Sequence, residues 1–349
     1  MNHHPTGLPS LPPDSGRRRC LRASLGAGAL LASPVSALGE TLKTSALVWQ
    51  QRILIGFGTT LWLRAAHPEK PHLTRALDAA VSAIRHIERQ LSLFDAQSAV
   101  SQLNRSGFLS QPDPDLVAAL QLAQKVSQRS AGLFDVTVQP LWQLWAKART
   151  RQQLPSPQAL RRAGEAANWQ GLEVSPDQIR FGAPGMAITL NGIAQGYAAD
   201  IARQVLQSFD IEHALLDTGE WSPLGNSPQA TPWRLGLQNP AATNSLITTV
   251  VSDGRSIATS SDAHYVFTAD RLNHHILNPV TGRSPTEIAS VSVAAESCAL
   301  ADALTKVMFM GSIDQAIQLA GRWGVDVLAV GKDGQWQASE NMPLASPPA

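Results

Sequence analysis

Apolar residues recur along this chain with two periods, and the periods sort its elements. Between Arg52 and Leu63 they alternate, at Ile53, Ile55, Phe57, Leu61 and Leu63 with Thr59 in phase, which predicts a strand. From Pro71 the spacing changes to three and four. Leu73, Leu77, Val81, Ile84, Ile87 and Leu91 form one helical face, and Pro71 suits the first helical position, where its missing N–H costs nothing. Further helices are predicted at Asp115–Ser130, ended by Ala131-Gly132, and at Pro140–Ala148. A short helix follows the Pro155–Pro157 loop, and Ile193–Phe209 is entered through Asn191-Gly192. The second half reads mostly as strands: His213–Leu216, Trp233–Leu237, Leu246–Val251, Ser256–Ala258, Tyr265–Thr268, His275–Leu277 and Ala289–Ala294. Helices Cys298–Met310 and Ile313–Trp323 and a closing strand Val325–Val330 complete the pattern. Helices first, then a meander of antiparallel strands, then a helical return define an α+β fold. One integrated domain is the favoured reading; a division near residue 180 is the alternative.

Composition adds limits. The chain has 349 residues, 44% hydrophobic and 16% charged, with a formal net charge of +1. That length supports a large core, and no run of like charge points to nucleic acid. The N-terminus has a three-part layout: Arg17-Arg18-Arg19, a mildly apolar run from Ala23 to Val35, and Val35-Ser36-Ala37 as a small-x-small cleavage site. It looks like a twin-arginine export signal. The expected division is a signal peptide at 1–37, a linker at 38–51, a catalytic domain at 52–340 and a flexible tail at 341–349. Cleavage removes Cys20 and leaves Cys298 alone, so no intrachain disulfide forms. The expected location is the periplasm. No other segment is apolar and long enough to span a bilayer, so any membrane association runs through a partner.

Four stretches carry candidate chemistry. His274-His275-Ile276-Leu277-Asn278-Pro279-Val280-Thr281-Gly282 ends a predicted strand in a tight turn. Its amides and the Thr281 hydroxyl could bind phosphate oxygens beside the His275 imidazole; the plainer reading is a hairpin turn. In Ala301–Lys306, Asp302 is a carboxylate among apolar helix residues and needs a partner. Thr305 and Lys306, three and four residues on, share its face. The plainer reading is an Asp302–Lys306 pair on the solvent side. Thr189–Asp200 runs from a strand through Asn191-Gly192 into a helix, where backbone groups can face an anion. Gly132–Trp142 offers Phe134 and Asp135 to a planar ring, or a core phenylalanine and a capping aspartate.

Taken in order, these stretches resemble the FAD:protein FMN transferase (ApbE) family. Phe57-Gly58-Thr59-Thr60 is similar to its Met-Gly-Thr strand, and Leu91–Phe94 to its next, aromatic element. Gly132–Trp142 is similar to Gly-x-Phe-Asp-x-Thr-x-x-Pro-Leu, and Asn191–Asp200 to Gly-Ile-Ala-Lys-Gly-Tyr-Ala-x-Asp. Ala258–Ser261 resembles a Thr-Ser-Gly stretch, His275–Gly282 His-Ile-x-Asp/Asn-Pro-x-Thr-Gly, and Ala301–Gly311 in part Ala-Asp-Ala-Leu-x-Thr. The resemblance implies an antiparallel sheet with flanking helices. It implies transfer of FMN from FAD, the substrate, to a threonine or serine of an acceptor flavoprotein, with release of AMP and help from Mg²⁺. It makes His275, Asp302 and Lys306 the catalytic positions, and puts the metal ligands at the Gly192 carbonyl, Asp302 and position 306; with lysine at 306, the neighbouring Thr305 becomes the candidate third ligand. Phe57, Phe94, Leu133, Phe134, Asp135, Thr189, Gln195, Ile276 and Thr281 fall on cofactor-contacting positions.

Three residues depart from the family pattern: Lys306 replaces a threonine, Thr189 an aspartate, and Gln195 a lysine or glutamate. An ammonium donates and cannot ligate a metal. Three readings stay open: Lys306 holds phosphate directly, Thr305 supplies the missing hydroxyl, or the chain binds FAD without transferring FMN. The rivals in function are a flavin-binding accessory protein and an FAD pyrophosphate hydrolase.

Overall fold

In this computed structural model the structure describes residues 46–242 and 244–345. The signal-like segment at 1–37 lies outside the described residues. The described chain opens with strands β1 (Val48–Gly56) and β2 (Thr59–His67), followed by helices α1 (Lys70–Leu91) and α2 (Ala99–Ser106). Then come β3 (Phe108–Ser110), α3 (Pro114–Arg129), α4 (Gln139–Thr150), α5 (Pro157–Glu165), β4 (Leu172–Val174) and β5 (Gln178–Phe181). Helix α6 (Ala194–Ser208) leads into β6 (His213–Asp217), β7 (Trp221–Leu224), β8 (Arg234–Gln238), β9 (Leu246–Val251) and β10 (Ser256–Ser261). The last elements are β11 (Ile288–Ala295), α7 (Cys298–Met308), α8 (Ile313–Trp323), β12 (Asp326–Gly331) and β13 (Trp336–Ala338). The α+β expectation is met. Eight strands form one sheet in the order β1-β2-β6-β7-β10-β11-β12-β13, with antiparallel pairing throughout.

Both faces of this sheet are covered. Val327 and Ala329 of β12 point into the large core with α1, α6 and α7. Leu328 and Val330 point the other way, into a second core with Trp233, Leu235 of β8 and Val250 of β9. A strand buried on both faces reads as a continuous apolar run, which is why β12 was legible. A third apolar cluster joins Leu141 and Trp145 of α4 and Leu160 of α5 to Phe267 and Leu277. That cluster explains one correction. Tyr265–Thr268 and His275–Leu277 are irregular segments joined by a single bridge, Val266 to His274. Tyr265, Phe267 and Leu277 serve this small core instead of a sheet face, while Ile276 turns into the large core.

The strand predicted at Arg52–Leu63 is in fact a hairpin, and its first strand starts four residues earlier, inside the expected linker. Gly56 pairs with Thr59, so Phe57-Gly58 is a two-residue loop. Both have positive φ, 50° and 76°, as a type I′ turn requires. The alternation changes phase there. Leu54 is buried on β1 while Ile53 and Ile55 are 69% and 73% exposed. A positive φ at a bulky residue such as Phe57 is strained. The Phe57 N–H donates to Glu88 Oε1 at 2.8 Å, and Arg85 joins Glu88 Oε2 at 2.7 Å to the Ile55 carbonyl. Glu88→Ala should therefore lower stability by about 1–3 kcal/mol, read as a shift in the urea midpoint. No shift would remove Glu88 as the anchor of this turn. At the other end, the chain does not trail away from 341: Met342 is buried and Leu344 bridges Val250.

Candidate active site

Helices α6 and α7 meet at their N-termini and cap each other. Asp200 of α6 accepts hydrogen bonds from Ser297 Oγ at 2.8 Å and from the N–H groups of Cys298 (2.8 Å) and Ala299 (2.9 Å), at the start of α7. Asp302 of α7 answers by accepting from the Gly196 N–H, in the first turn of α6, at 3.3 Å. Each carboxylate sits at the end of a helix where free N–H groups and the dipole favour negative charge. Burial raises the pKa of Asp200, and the three hydrogen bonds oppose that rise. The helices approach so closely at Gly196 that a Cβ there would stand 2.4 Å from the Cys298 carbonyl oxygen.

Lys306 lies one turn beyond Asp302, and the intrahelical pair expected from their spacing forms. It is not on the solvent side. Asp302 is 1% exposed. The Lys306 ammonium donates to Asp302 Oδ1 and, at 3.1 Å, to the Asp302 backbone carbonyl. Its stem runs against Gly192: a Cβ there would stand 3.2 Å from Lys306 Cε and 3.4 Å from Phe134 Cε2. Gly192, Phe134, Asp302 and Lys306, drawn from three separated motifs, thus meet. Thr305 faces elsewhere. It is fully buried, donates to the Asp302 carbonyl at 2.6 Å, and shares a 2.7 Å hydrogen bond with Ser260 Oγ. The reading in which Thr305 supplies a metal ligand is corrected, because a rotation to free it would break both contacts. With an ammonium on the Asp302 carboxylate and no free hydroxyl beside it, this donor set does not fit Mg²⁺, which wants oxygen ligands in near-octahedral array. Among the described residues a His/Asp cluster lies elsewhere, at His86, Asp113 and Asp115. There the imidazole Nε2 bridges two carboxylates at 3.1 and 3.3 Å and ties α1 to α3.

His275 lies within electrostatic reach of Lys306. Its Nδ1 is 3.1 Å from the Tyr265 carbonyl. A carbonyl only accepts, so Nδ1 carries the proton and Nε2 keeps its lone pair. Burial lowers the His275 pKa to about 3, and His264, His274 and Lys306 disfavour the imidazolium further. The preceding His274 is fully buried, with Nε2 3.1 Å from the Pro285 carbonyl and Nδ1 without a partner. Burial lowers its pKa to about 4. Both rings are neutral at pH 7.

The remaining site residues divide. Phe94 is 47% exposed and lies over the hairpin turn, its ring 3.0 Å from where a Gly58 Cβ would stand. Phe57, Phe134 and Ile276 are buried, and Leu133 is half-buried. Asp135 follows the plainer reading: Oδ1 accepts from the N–H and hydroxyl of Thr137 and Oδ2 from the Trp169 N–H. Thr189 Oγ1 accepts from the Asn191 N–H at 3.3 Å. Gln195 donates to the Thr218 carbonyl at 2.9 Å and receives the Thr218 hydroxyl on its own carbonyl. The turn after His275 forms, but its amides are engaged within it. Val280 and Thr281 N–H donate to Asn278 Oδ1, and Gly282 N–H donates to the Asn278 carbonyl. The turn is pinned to α4 by Trp145 Nε1, 2.8 Å from the Gly282 carbonyl. The expectation that these amides cradle phosphate is corrected; Thr281 stays exposed beside them. Sequence reasoning missed Tyr265, whose backbone sets the His275 tautomer and which no motif marks. It also missed Asp200 as the α7 cap, although its place in the Asn191–Asp200 motif was a usable signal.

Fold and site together define a class: an α+β protein in which a helix-borne cation and the Phe134 ring meet at Gly192, beside paired helix N-termini and within the electrostatic reach of a neutral imidazole, a setting for an anionic, ring-bearing ligand. The model of the ApbE family matches residues 57–329, and the chain belongs to that family. Named FAD:protein FMN transferase, a protein of Treponema pallidum is 29% identical over 287 residues, covering 76% of this chain and 79% of its own. One of the same name from Salmonella typhimurium is 28% identical over 262 residues, covering 70% and 73%. Among solved structures, the ApbE protein of Thermotoga maritima aligns with a TM-score of 0.76 at 25% identity, over 84% of this chain and 97% of that one.

Proposed function

We propose that this chain is an FAD:protein FMN transferase that acts outside the cytoplasm on an acceptor flavoprotein. The observation that carries the reading is the meeting of Lys306, Asp302 and Gly192 beside a neutral His275 with a bare Nε2. The acceptor hydroxyl oxygen attacks the flavin-side phosphorus of FAD, a phosphorus–oxygen bond forms, and the bond to the bridging oxygen breaks. The bridging oxygen leaves on AMP, and the hydroxyl proton passes to His275 Nε2. Lys306 keeps one ammonium proton free for a phosphate oxygen, since Asp302 accepts the other two. The exposure of Phe94 over the hairpin turn supports a role in stacking on the flavin ring. Mg²⁺ has no step here, because the residues present do not hold it. The paired arginines at 17–18 and the segment to Ala37 support export by a twin-arginine signal. The acceptor is the only link to a membrane in this reading.

The test combines the purified chain, FAD and a flavoprotein domain bearing a target threonine or serine. Flavin fluorescence that stays with the acceptor after denaturing electrophoresis supports transfer. Free FMN and AMP with an unlabelled acceptor would mean hydrolysis, and bound FAD without product would mean an accessory protein.

A further inference from the structure

We propose that Lys306 is the resident cation of this site, so that its reaction at phosphate runs without a divalent metal. The inference rests on the transferase reading and goes beyond it in assigning the cation. Three observations carry it. The first is position. The ammonium donates to both the carboxylate and the backbone carbonyl of Asp302, two hard oxygens that a metal at this helix would need. Its stem fills the space over Gly192, another of the expected ligand positions. A metal cannot share those oxygens without facing a like charge at contact distance.

The second observation is the loss of the alternative. The only hydroxyl on the same turn, Thr305, is buried and bonded to Ser260 and to the Asp302 carbonyl. No rotamer of Lys306 returns a neutral oxygen ligand. The third is charge balance. Position 189, where the resemblance implies a second carboxylate, is threonine, and its hydroxyl caps the Asn191 N–H. One buried carboxylate with one ammonium is neutral, as two carboxylates with a divalent ion would be. The extra negative and the extra positive charge are absent together. A lysine differs from a metal in one useful respect. It is fixed to the chain and 21% exposed at its side chain, so it can meet an incoming phosphate with no loading step.

The experiment uses the full chain, metal-stripped by EDTA and desalting, with FAD affinity measured by quenching of flavin fluorescence and transfer measured on an acceptor domain. The proposal expects both to change less than about twofold between EDTA and millimolar Mg²⁺. Lys306→Thr should lose FAD affinity by at least about tenfold in EDTA and recover it with Mg²⁺, while Lys306→Arg stays insensitive to the metal. Thermal unfolding of both variants separates a folding defect from a lost cation. A wild-type chain whose FAD affinity or transfer rises about tenfold or more with Mg²⁺ overturns the proposal. So does Lys306→Thr with undiminished FAD affinity in EDTA. If the wild type binds FAD with metal-insensitive affinity yet labels no acceptor, the transferase reading fails and the assignment of Lys306 stands.

Discussion

Replacing His275 by alanine is expected to slow flavin transfer by about 10²–10⁴-fold while FAD affinity and the fold stay nearly unchanged. The reason is the tautomer. The Tyr265 carbonyl accepts the Nδ1–H and leaves Nε2 of His275 unprotonated, on a ring that feels the charge of Lys306. A base is useful where the nucleophile is a neutral hydroxyl. In the unliganded chain the imidazole, with a pKa near 3, is a weak base. A pyrophosphate arriving beside it adds negative charge, which favours the imidazolium and raises its basicity when the substrate is in place. Asparagine at 275 can keep a donor toward Tyr265 but supplies no base, so His275→Asn should fall in rate almost as far as alanine. A His275→Asn chain with near wild-type kcat would sink the general-base role and leave only orientation.

The same two histidines set an acid limit on stability. His274 and His275 have folded pKa values of about 4 and about 3, below the roughly 6.5 of an unfolded histidine. The folded state therefore disfavours protonation. Their contribution is complete above about pH 6.5 and is lost as pH falls toward 4, because the unfolded chain binds the protons more tightly. The urea midpoint should fall between pH 7.5 and 5, and His274→Phe should flatten that fall. A midpoint as high at pH 5 as at 7.5 would contradict the burial argument.

Much of this was legible in the sequence, and the failures have physical causes. The faces of α1, α3 and α8 were readable because one side of each helix packs on a core and the other meets water. The hairpin at Phe57-Gly58 was not, because a type I′ loop ordinarily shows asparagine or aspartate before glycine. Here a hydrogen bond donated by its own N–H to Glu88, thirty-one residues on, holds a phenylalanine in that conformation. Strand β7 was missed because its apolar residues are few, and its pairing with β6 and β10 is decided by tertiary contacts. The site shows the same division. The four-residue spacing of Asp302 and Lys306 announced their pair, but no local pattern could show that the pair is buried against Gly192. Nor could spacing show that Thr305 turns toward Ser260, forty-five residues away.

Gly196→Ala is expected to damage both the fold and the site. The added Cβ would lie 2.4 Å from the Cys298 carbonyl oxygen, 2.6 Å from its carbon and 2.8 Å from Ala299 Cα. All three are backbone atoms at the start of α7, so no side chain can swing aside. The helices must part, and two further interactions weaken with them: the Gly196 N–H to Asp302 and the Asp200 cap on α7. Overpacking of this kind costs about 1–3 kcal/mol by itself, and loosening a buried charged hydrogen bond adds about 1.5–3 kcal/mol. The expected loss is thus about 2.5–6 kcal/mol, enough to threaten folding in a domain of ordinary stability. FAD binding should weaken as well, because Asp302 and Lys306 move with α7. Gly164→Ala in α5 is the matched control. Nothing lies within 4 Å of its added Cβ, and alanine in this last helical turn should gain at most about 0.5–1 kcal/mol. Urea unfolding of the two variants decides the matter. If Gly196→Ala unfolds at the wild-type midpoint, the close contact of α6 and α7 does not hold the site, and the placement of Asp302 must come from elsewhere in the core.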